Sequence, residues 1–239
     1  MLRLRAGVPR LCHERKELSM PDARIILATT NKGKVRELAE PLSAFGLTVV
    51  GLDAFPDLPD VEETGGTFAE NALLKARAAA EATGLTAVAD DSGLSVEALQ
   101  GQPGVYSARF WQPGDPLPGL DPARVEALSH DARNIRKLLD RMRPTPDAQR
   151  GAYFCCAMCA VHPGLERSIL ETEGRWHGSI TREPRGTEGF GYDPVFYDTE
   201  MQCTAAEMPR ETKMQRSHRA KALTALLEGW AAFWKLRQA

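Results

Sequence analysis

No stretch of the sequence approaches the roughly 20 consecutive apolar residues that a membrane-spanning helix needs. No charge of one sign predominates either: 30 Lys and Arg stand against 32 Asp and Glu, a net charge of −2. The first lack excludes a helical membrane protein. The second excludes a chain built for bulk phosphate-backbone binding and leaves room only for local basic clusters. Neither nucleic acid nor a membrane is therefore the expected partner. Cysteine is scarce and odd in number, at Cys12, Cys155, Cys156, Cys159 and Cys203. Cys156 and Cys159 have C-x-x-C spacing, but no second Cys or His pair is placed to complete a zinc site. Thiols packed in a strand, in a reducing cytoplasm, are the expectation, with zinc or redox chemistry as the lesser alternative. The first twenty residues lack the continuous apolar segment of a secretory signal, and their two glutamates argue against a transit peptide. Residues 1–22 read as a disordered tail, or as an over-long start ahead of Met20, and residues 23–239 as one folded domain.

What is present is an ordinary globular composition, 43% hydrophobic and 26% charged over 239 residues, long enough to bury a sizeable core. The run RIILA at 24–28 predicts a buried strand. Val35, Leu38, Ala39, Leu42 and Phe45 recur at helical spacing with Gly46 as a stop, and Pro41 inside that pattern predicts a kink or break. LTVV at 47–50 reads as a second strand, and residues 51–66 as a loop. Thr67 and Glu70 form a capping box for an Ala-rich helix that ends at Gly84. TAVAD at 86–90 reads as a short strand ending in two aspartates. After a Pro- and Gly-rich loop at 111–122, Asp121 and Pro122 open a helix that is expected to run through Met142. Strands are expected at 151–161, 168–172 and 175–180, and a last helix is capped by Ser217, with Leu223, Leu226, Leu227, Trp230 and Trp234 on its apolar face. Interleaved strands and helices followed by strands paired through turns predict a mixed α/β sheet.

Five segments carry candidate chemistry. Thr29, Thr30, Asn31, Lys32, Gly33 and Lys34 lie between a strand and a helix, where free N–H groups, the helix dipole, two lysines and a permissive glycine suit a polyphosphate. The spacing is not that of a Walker loop; alone, the segment is equally a βα turn with solvated lysines. Glu62 and Glu63, with Asp90 and Asp91, offer carboxylates from separate segments. That suits a divalent cation needing one or two protein oxygens, or a base for an attacking water. Asn71 and Lys75, four residues apart, share one helix face. In TEGFGYDPVF at 187–196, two glycines bracket Phe190, a ring suited to stacking on a base, or to plugging the core. Lys213, then Ser217, His218 and Arg219 at the start of the last helix, place donors where carbonyls or anions would be welcome.

Together these segments resemble the inosine/xanthosine triphosphate pyrophosphatases, enzymes that clear non-standard purine nucleotides. The resemblance covers roughly residues 24–230 and rests on ATTNKGKVRELAE, EETGGTFAENALLKA, ADDSGL with GQPGVYSAR behind it, GFGYDPVF and SHRAKAL, in the family's order. It implies an elongated α/β fold with a mixed sheet, flanking helices and two lobes around a substrate cleft, in a cytoplasmic homodimer. It implies magnesium-dependent hydrolysis of a purine nucleoside triphosphate between the α and β phosphates. Thr29 to Lys34 would then bind the triphosphate and Lys75 would support it. Asp91 would be the catalytic acceptor and a metal carboxylate, with Ser92 beside the substrate. Glu63 would be the other metal carboxylate, Glu62 remaining the alternative. Phe190 would stack on the purine, with Gly191, Tyr192 and Asp193 lining the pocket, while Lys213, His218 and Arg219 would read the base. Arg216 departs from the pattern, where an apolar residue commonly precedes the Ser-His-Arg block. A related pyrophosphatase acting on modified pyrimidine triphosphates, and a nucleotide- or RNA-binding protein without catalysis, are the rival readings.

Overall fold

Strand β1 (Arg24–Leu27) and strand β2 (Thr48–Gly51) lie parallel, joined through helix α1 (Lys32–Ala44). In this computed structural model residues 24–58, 60–165 and 168–236 are described. The expected N-terminal tail, with Cys12 and Met20, lies outside them. Helix α2 (Phe68–Thr83) follows a loop and strand β3 (Thr86–Val96) pairs with β1 in parallel. Helices α3 (Pro122–Ala127) and α4 (His130–Arg141) precede strands β4 (Gly151–Val161) and β5 (Ile169–Ile180), which continue the sheet antiparallel. Short strands β6 (Phe196–Asp198) and β7 (Cys203–Thr204) complete it, and helices α5 (Arg210–Arg216) and α6 (His218–Lys235) close the chain. The seven strands run in the order β2-β1-β3-β4-β5-β6-β7, the mixed sheet with flanking helices that the pattern predicts.

Side-chain alternation divides the core between the two faces of the sheet. Ile25, Leu27, Val88, Cys156, Met158 and Ala160 pack with Leu38 and Leu42 of α1 and with Ala222, Leu226 and Trp230 of α6. Ile26, Ala87, Ala89, Ala157, Cys159 and Val161 pack under the alanines of α2. A further core gathers Leu94, Val96, Ala152, Phe154, Trp176 and Ile180 with Ile135 and Leu138 of α4, at the far ends of the same long strands. Val88 belongs to one core and Leu94 to the next, so Asp90 and Ser92 occupy the changeover on their face. Cys156 and Cys159 fall on opposite faces, which forbids both a disulfide and a shared metal between them. Burial pushes the Cys155 thiol up to about 11 and the Cys159 thiol up to about 12; these are inert core thiols.

The structure corrects four expectations. The strand at 86–90 does not end at the aspartates but runs to Val96, in continuous register with β4 from Ala87↔Val161 to Val96↔Ala152. Its polar centre is tolerated because each side chain there meets a partner from a flanking helix. The single helix expected from Pro122 to Met142 is two, because Leu128 is extended and Ser129 Oγ caps a new start by accepting Ala132 N–H. The strands expected at 168–172 and 175–180 are one. Gly174 does not break it; a side chain there would collide with the α6 backbone at His218 and Ala222, so the glycine admits the helix. Pro41 does not break α1, which continues to Ala44; standing in the last turn, it removes one terminal bond.

Candidate active site

β1 pairs with β3 only as far as Leu27↔Val88, while β3 runs on through Asp90, Asp91 and Ser92. The acidic pair therefore sits just beyond the carboxyl end of β1, beside the loop that enters α1, where open α/β sheets hold ligands. Alternation sends the two carboxylates to opposite faces.

Asp90, 1% exposed, turns toward α1 and α6. Its Oδ2 lies 2.9 Å from Lys34 Nζ and 3.5 Å from Arg219 Nε, with the Cys156 thiol at 3.8 Å. Burial alone would raise its pKa, but the Lys34 and Arg219 charges overrule it and hold the carboxyl well below the usual range. Arg219 is itself clamped: Nη1 donates to Glu37 on α1 and Nη2 donates to Ser92 Oγ at 3.0 Å.

Asp91 turns toward α2. Its Oδ1 lies 3.1 Å from Lys75 Nζ, and its Oδ2 accepts from Asn71 Nδ2 at 3.2 Å. Lys75 Nζ also donates to Glu63 Oε1 at 2.9 Å, and Arg109 Nη1 donates to Glu63 Oε2 at 2.8 Å. Burial raises the Asp91 pKa and the nearby Glu63 charge adds to it, against the pull of Lys75. Burial would raise Glu63 too, but its bonds to Arg109 and Lys75 carry it below the ordinary value. Both carboxylates are positioned by α2. The Thr67 hydroxyl accepts Glu70 N–H at 3.2 Å, and Glu70 Oε2 accepts Thr67 N–H at 3.1 Å, closing the capping box that fixes the start of the helix. Asn71 Oδ1 accepts Gly65 N–H at 2.8 Å and draws in the loop that carries Glu63. The alternative Glu62 is exposed.

Among the described residues no three His, Cys, Asp or Glu form a cluster able to cage a metal. Glu63 and Asp91 present two hard oxygens to one point, held by the Lys75 ammonium. Such a donor set fits magnesium, which takes one or two carboxylates and completes its shell with phosphate oxygens and water.

At the α1 entrance, Asn31 Oδ1 accepts Gly33 N–H at 2.9 Å and Lys34 N–H at 3.2 Å, while Thr29 Oγ1 accepts Asn31 N–H at 3.2 Å. Two of the backbone donors expected to be free for phosphate thus serve the helix cap. Thr30, Asn31 and Lys32 remain exposed at the mouth, and Lys34 points to Asp90.

The Phe190 ring lies against this loop: a Cβ on Gly33 would come within 3.0 Å of it. Lys213 Nζ is 5.2 Å, and Arg219 Cζ 5.6 Å, from the ring centroid. Asp193, almost fully buried, accepts Phe190 N–H at 2.8 Å and pairs with Lys213 Nζ at 2.6 Å. Burial raises its pKa against the opposing Lys213 charge. Asp193 thus shapes the loop and is already engaged. Gly189 makes this possible with φ +84°, since a side chain there would strike the Asp193 carboxylate. Gly191 N–H is accepted by Asp131 of α4 at 2.7 Å. The Tyr192 side chain enters the α4 core, its hydroxyl donating to Ser107 O at 2.9 Å. His218 is buried and stacked on Phe154 at 4.8 Å; burial and the neighbouring Arg219 and Lys213 charges keep it neutral. Asp90 Oδ1, His218 Nδ1 and Arg219 Nε are buried without a hydrogen-bond partner, three polar atoms left open at the junction between the aspartates and the aromatic loop. Arg216 turns away to Asp198 and Glu200.

Glu37, Arg109 and Asp131 were not singled out from sequence. Glu37 stands one helical turn beyond Lys34, a spacing that could have found it. Arg109 closes the GQPGVYSAR block but needs the fold to meet Glu63, and Asp131 left no local signal.

A model of the Ham1 family matches residues 25–229. The dITP/XTP pyrophosphatase of Nitratidesulfovibrio vulgaris is 52% identical over 216 residues, covering 90% of this chain and 100% of that protein. The dITP/XTP pyrophosphatase of Shigella flexneri is 49% identical over 207 residues, covering 86% of this chain and 96% of that one. Among solved structures, a HAM1 protein from Coxiella burnetii superposes with a TM-score of 0.75 at 39% identity, covering 87% of this chain and 98% of that chain. Among the described residues no helix is long and apolar enough to cross a membrane.

Proposed function

Because the chain belongs to the Ham1 family, we infer that it hydrolyses inosine, deoxyinosine and xanthosine triphosphates to the monophosphate and pyrophosphate. The relatives named dITP/XTP pyrophosphatase support the substrate class. The observation that carries the reading is convergence at the middle of β3, just past the carboxyl end of β1: on one face Phe190 packs on the entrance of α1 near Arg219, which reaches Asp90, and on the other face Glu63, Lys75 and Asp91 meet.

Water attacks the α phosphorus, its bond to the bridging oxygen breaks, and pyrophosphate leaves. Asp91 accepts the proton of the attacking water, a role suited to a carboxylate whose pKa burial raises above the ordinary value. Glu63 and Asp91 would hold magnesium together with the substrate phosphates; when bound, the ion supplies positive charge against the charge developing on the leaving group. Lys75 and Lys34 add to that charge, and Thr29 to Lys34 with Ser92 receive the triphosphate. Phe190 stacks on the purine, with Gly191, Tyr192 and Asp193 forming the loop that carries it. Lys213, His218 and Arg219 supply the polar edge that selects a C6 carbonyl over the amine of adenine. A mismatched base would leave buried polar atoms unpaired, which is the basis of strong discrimination. The enzyme acts as a cytoplasmic homodimer in this reading.

Pyrophosphate release from inosine, guanosine and adenosine triphosphates, each with and without magnesium, tests it. Magnesium-dependent release from the inosine substrate ahead of the other two is expected. Equal release from all three would discard the base-reading roles, and release from none would discard the hydrolase.

A further inference from the structure

The two cation-facing carboxylates are built alike. Glu63 and Asp91 each point one oxygen at the Lys75 ammonium, Oε1 at 2.9 Å and Oδ1 at 3.1 Å. Each has its second oxygen held from behind by a residue of another segment: Glu63 Oε2 by Arg109 Nη1 at 2.8 Å, Asp91 Oδ2 by Asn71 Nδ2 at 3.2 Å. A carboxylate free to rotate would present either oxygen; one whose rear oxygen is bonded presents only the other. The need is greatest at Glu63, which sits in an irregular loop, whereas Asp91 is fixed by the β3–β4 ladder.

Arg109 is itself well placed for this. Its guanidinium lies 5.3 Å over the Tyr106 ring. Gln112 Nε2 donates to its carbonyl at 2.6 Å, and Asn134 Nδ2 of α4 donates to the adjacent Ala108 O at 3.2 Å. Asn71 is fully buried and uses both ends of its amide, donating to Asp91 and accepting Gly65 N–H from the Glu63 loop. One residue thus ties the two carboxylates together, and the other braces the loop-borne member of the pair.

We propose that Arg109 and Asn71 are positioning residues that aim Glu63 Oε1 and Asp91 Oδ1 at one shared divalent cation, without touching it. The proposal rests on the magnesium-dependent reading of the same site. Groups that hydrogen-bond the rear of a metal carboxylate set its orientation and basicity, and their loss weakens metal binding by roughly 10–100-fold. A half-exposed ion pair with no such role would contribute little to anything.

The test titrates magnesium chloride against the full-length protein and its Arg109→Ala, Arg109→Lys and Asn71→Ala variants. It follows calorimetric binding of α,β-methylene inosine triphosphate alongside pyrophosphate release, with thermal unfolding to confirm folding. Arg109→Ala and Asn71→Ala are expected to raise the half-saturating magnesium concentration by about tenfold or more. The preference for inosine over adenosine triphosphate stays unchanged, and Arg109→Lys recovers part of the loss because an ammonium still reaches Oε2. Magnesium dependence identical to the unaltered protein in the folded variants overturns the proposal. If Asn71→Ala does not fold, Arg109→Ala, at a side chain 40% exposed, decides alone. An unaltered protein that binds the analogue without regard to magnesium sinks the metal reading and the proposal with it, an outcome distinct from indifferent variants.

Discussion

Asp90 and Asp91 are neighbours in one strand, yet they live in opposite electrostatic settings. On the α1–α6 face, Asp90 is outnumbered by cations, Lys34 and Arg219, and its charge is locked in place. On the α2 face, Asp91 shares a single lysine with a second carboxylate, and burial leaves it short of positive charge. One face is a closed ion cluster of Asp90 with Lys34 and Arg219; on the other, two carboxylates share one lysine. Strand alternation alone produces the difference, since a one-residue step in β3 carries a side chain from one helix layer to the other. Like residues in sequence are therefore not interchangeable in role, and each can be probed without the other.

The largest effect should come from the α2 face. Asp91→Asn keeps size and the Asn71 contact but removes the proposed proton acceptor and one proposed cation oxygen. Turnover of inosine triphosphate should fall by roughly 10²–10⁴-fold, with the thermal midpoint held or raised because a carboxylate disfavoured by burial is gone. Undiminished turnover would remove Asp91 from the chemistry.

Asp90→Asn should act on stability as well. It strands Lys34 without its counter-charge and leaves the buried Arg219 with Glu37 alone, and breaking such a buried pair costs about 3–5 kcal/mol of stability. The expected readout is a lowered unfolding midpoint in denaturant. A midpoint equal to that of the unaltered protein would contradict the contrast between the faces.

The subtlest separation is by pH. The pKa of Asp91 is raised above the ordinary value of 3.8, so its ionised form is lost as pH falls through a point above that value, and protonation there favours the fold. The pKa of Asp90 is depressed, so its stabilising charge is present above 3.8 and is lost only as pH falls through its lower folded value. On acidification, kcat/KM should therefore decline while the unfolding temperature is still held. Simultaneous loss of both would merge the two roles, and Asp91→Asn should abolish the early limb in whatever activity remains.

Much of this was legible in the residue pattern, and what was not has physical causes. The capping box at Thr67 and Glu70, the left-handed Gly84 at the end of α2 and the caps at Asp121 and Ser217 follow local rules, and all are present. The polar run Asp-Asp-Ser-Gly hid the length of β3, because satisfaction of those side chains comes from helices far along the chain. Gly174 hid the unity of β5 for a similar reason: its need is the close passage of α6. The candidate site was legible as separate motifs. The pairing of Arg109 with Glu63 or of Asp131 with Gly191 was not, since contacts across 46 and 60 positions leave no periodic trace.

Residues held by the ladder and residues held by loops also differ in how freely they can drift over generations. Asp91 is tied to β3 and to Asn71 of α2, where a change disturbs two packed cores at once. The aromatic platform hangs from a glycine-hinged loop braced by single contacts from Asp131, Asp193 and Ser107. Lineages descended from such a scaffold are expected to keep their hydrolytic step while trading one nucleobase for another, so that a diverse set of substrates grows around a constant reaction.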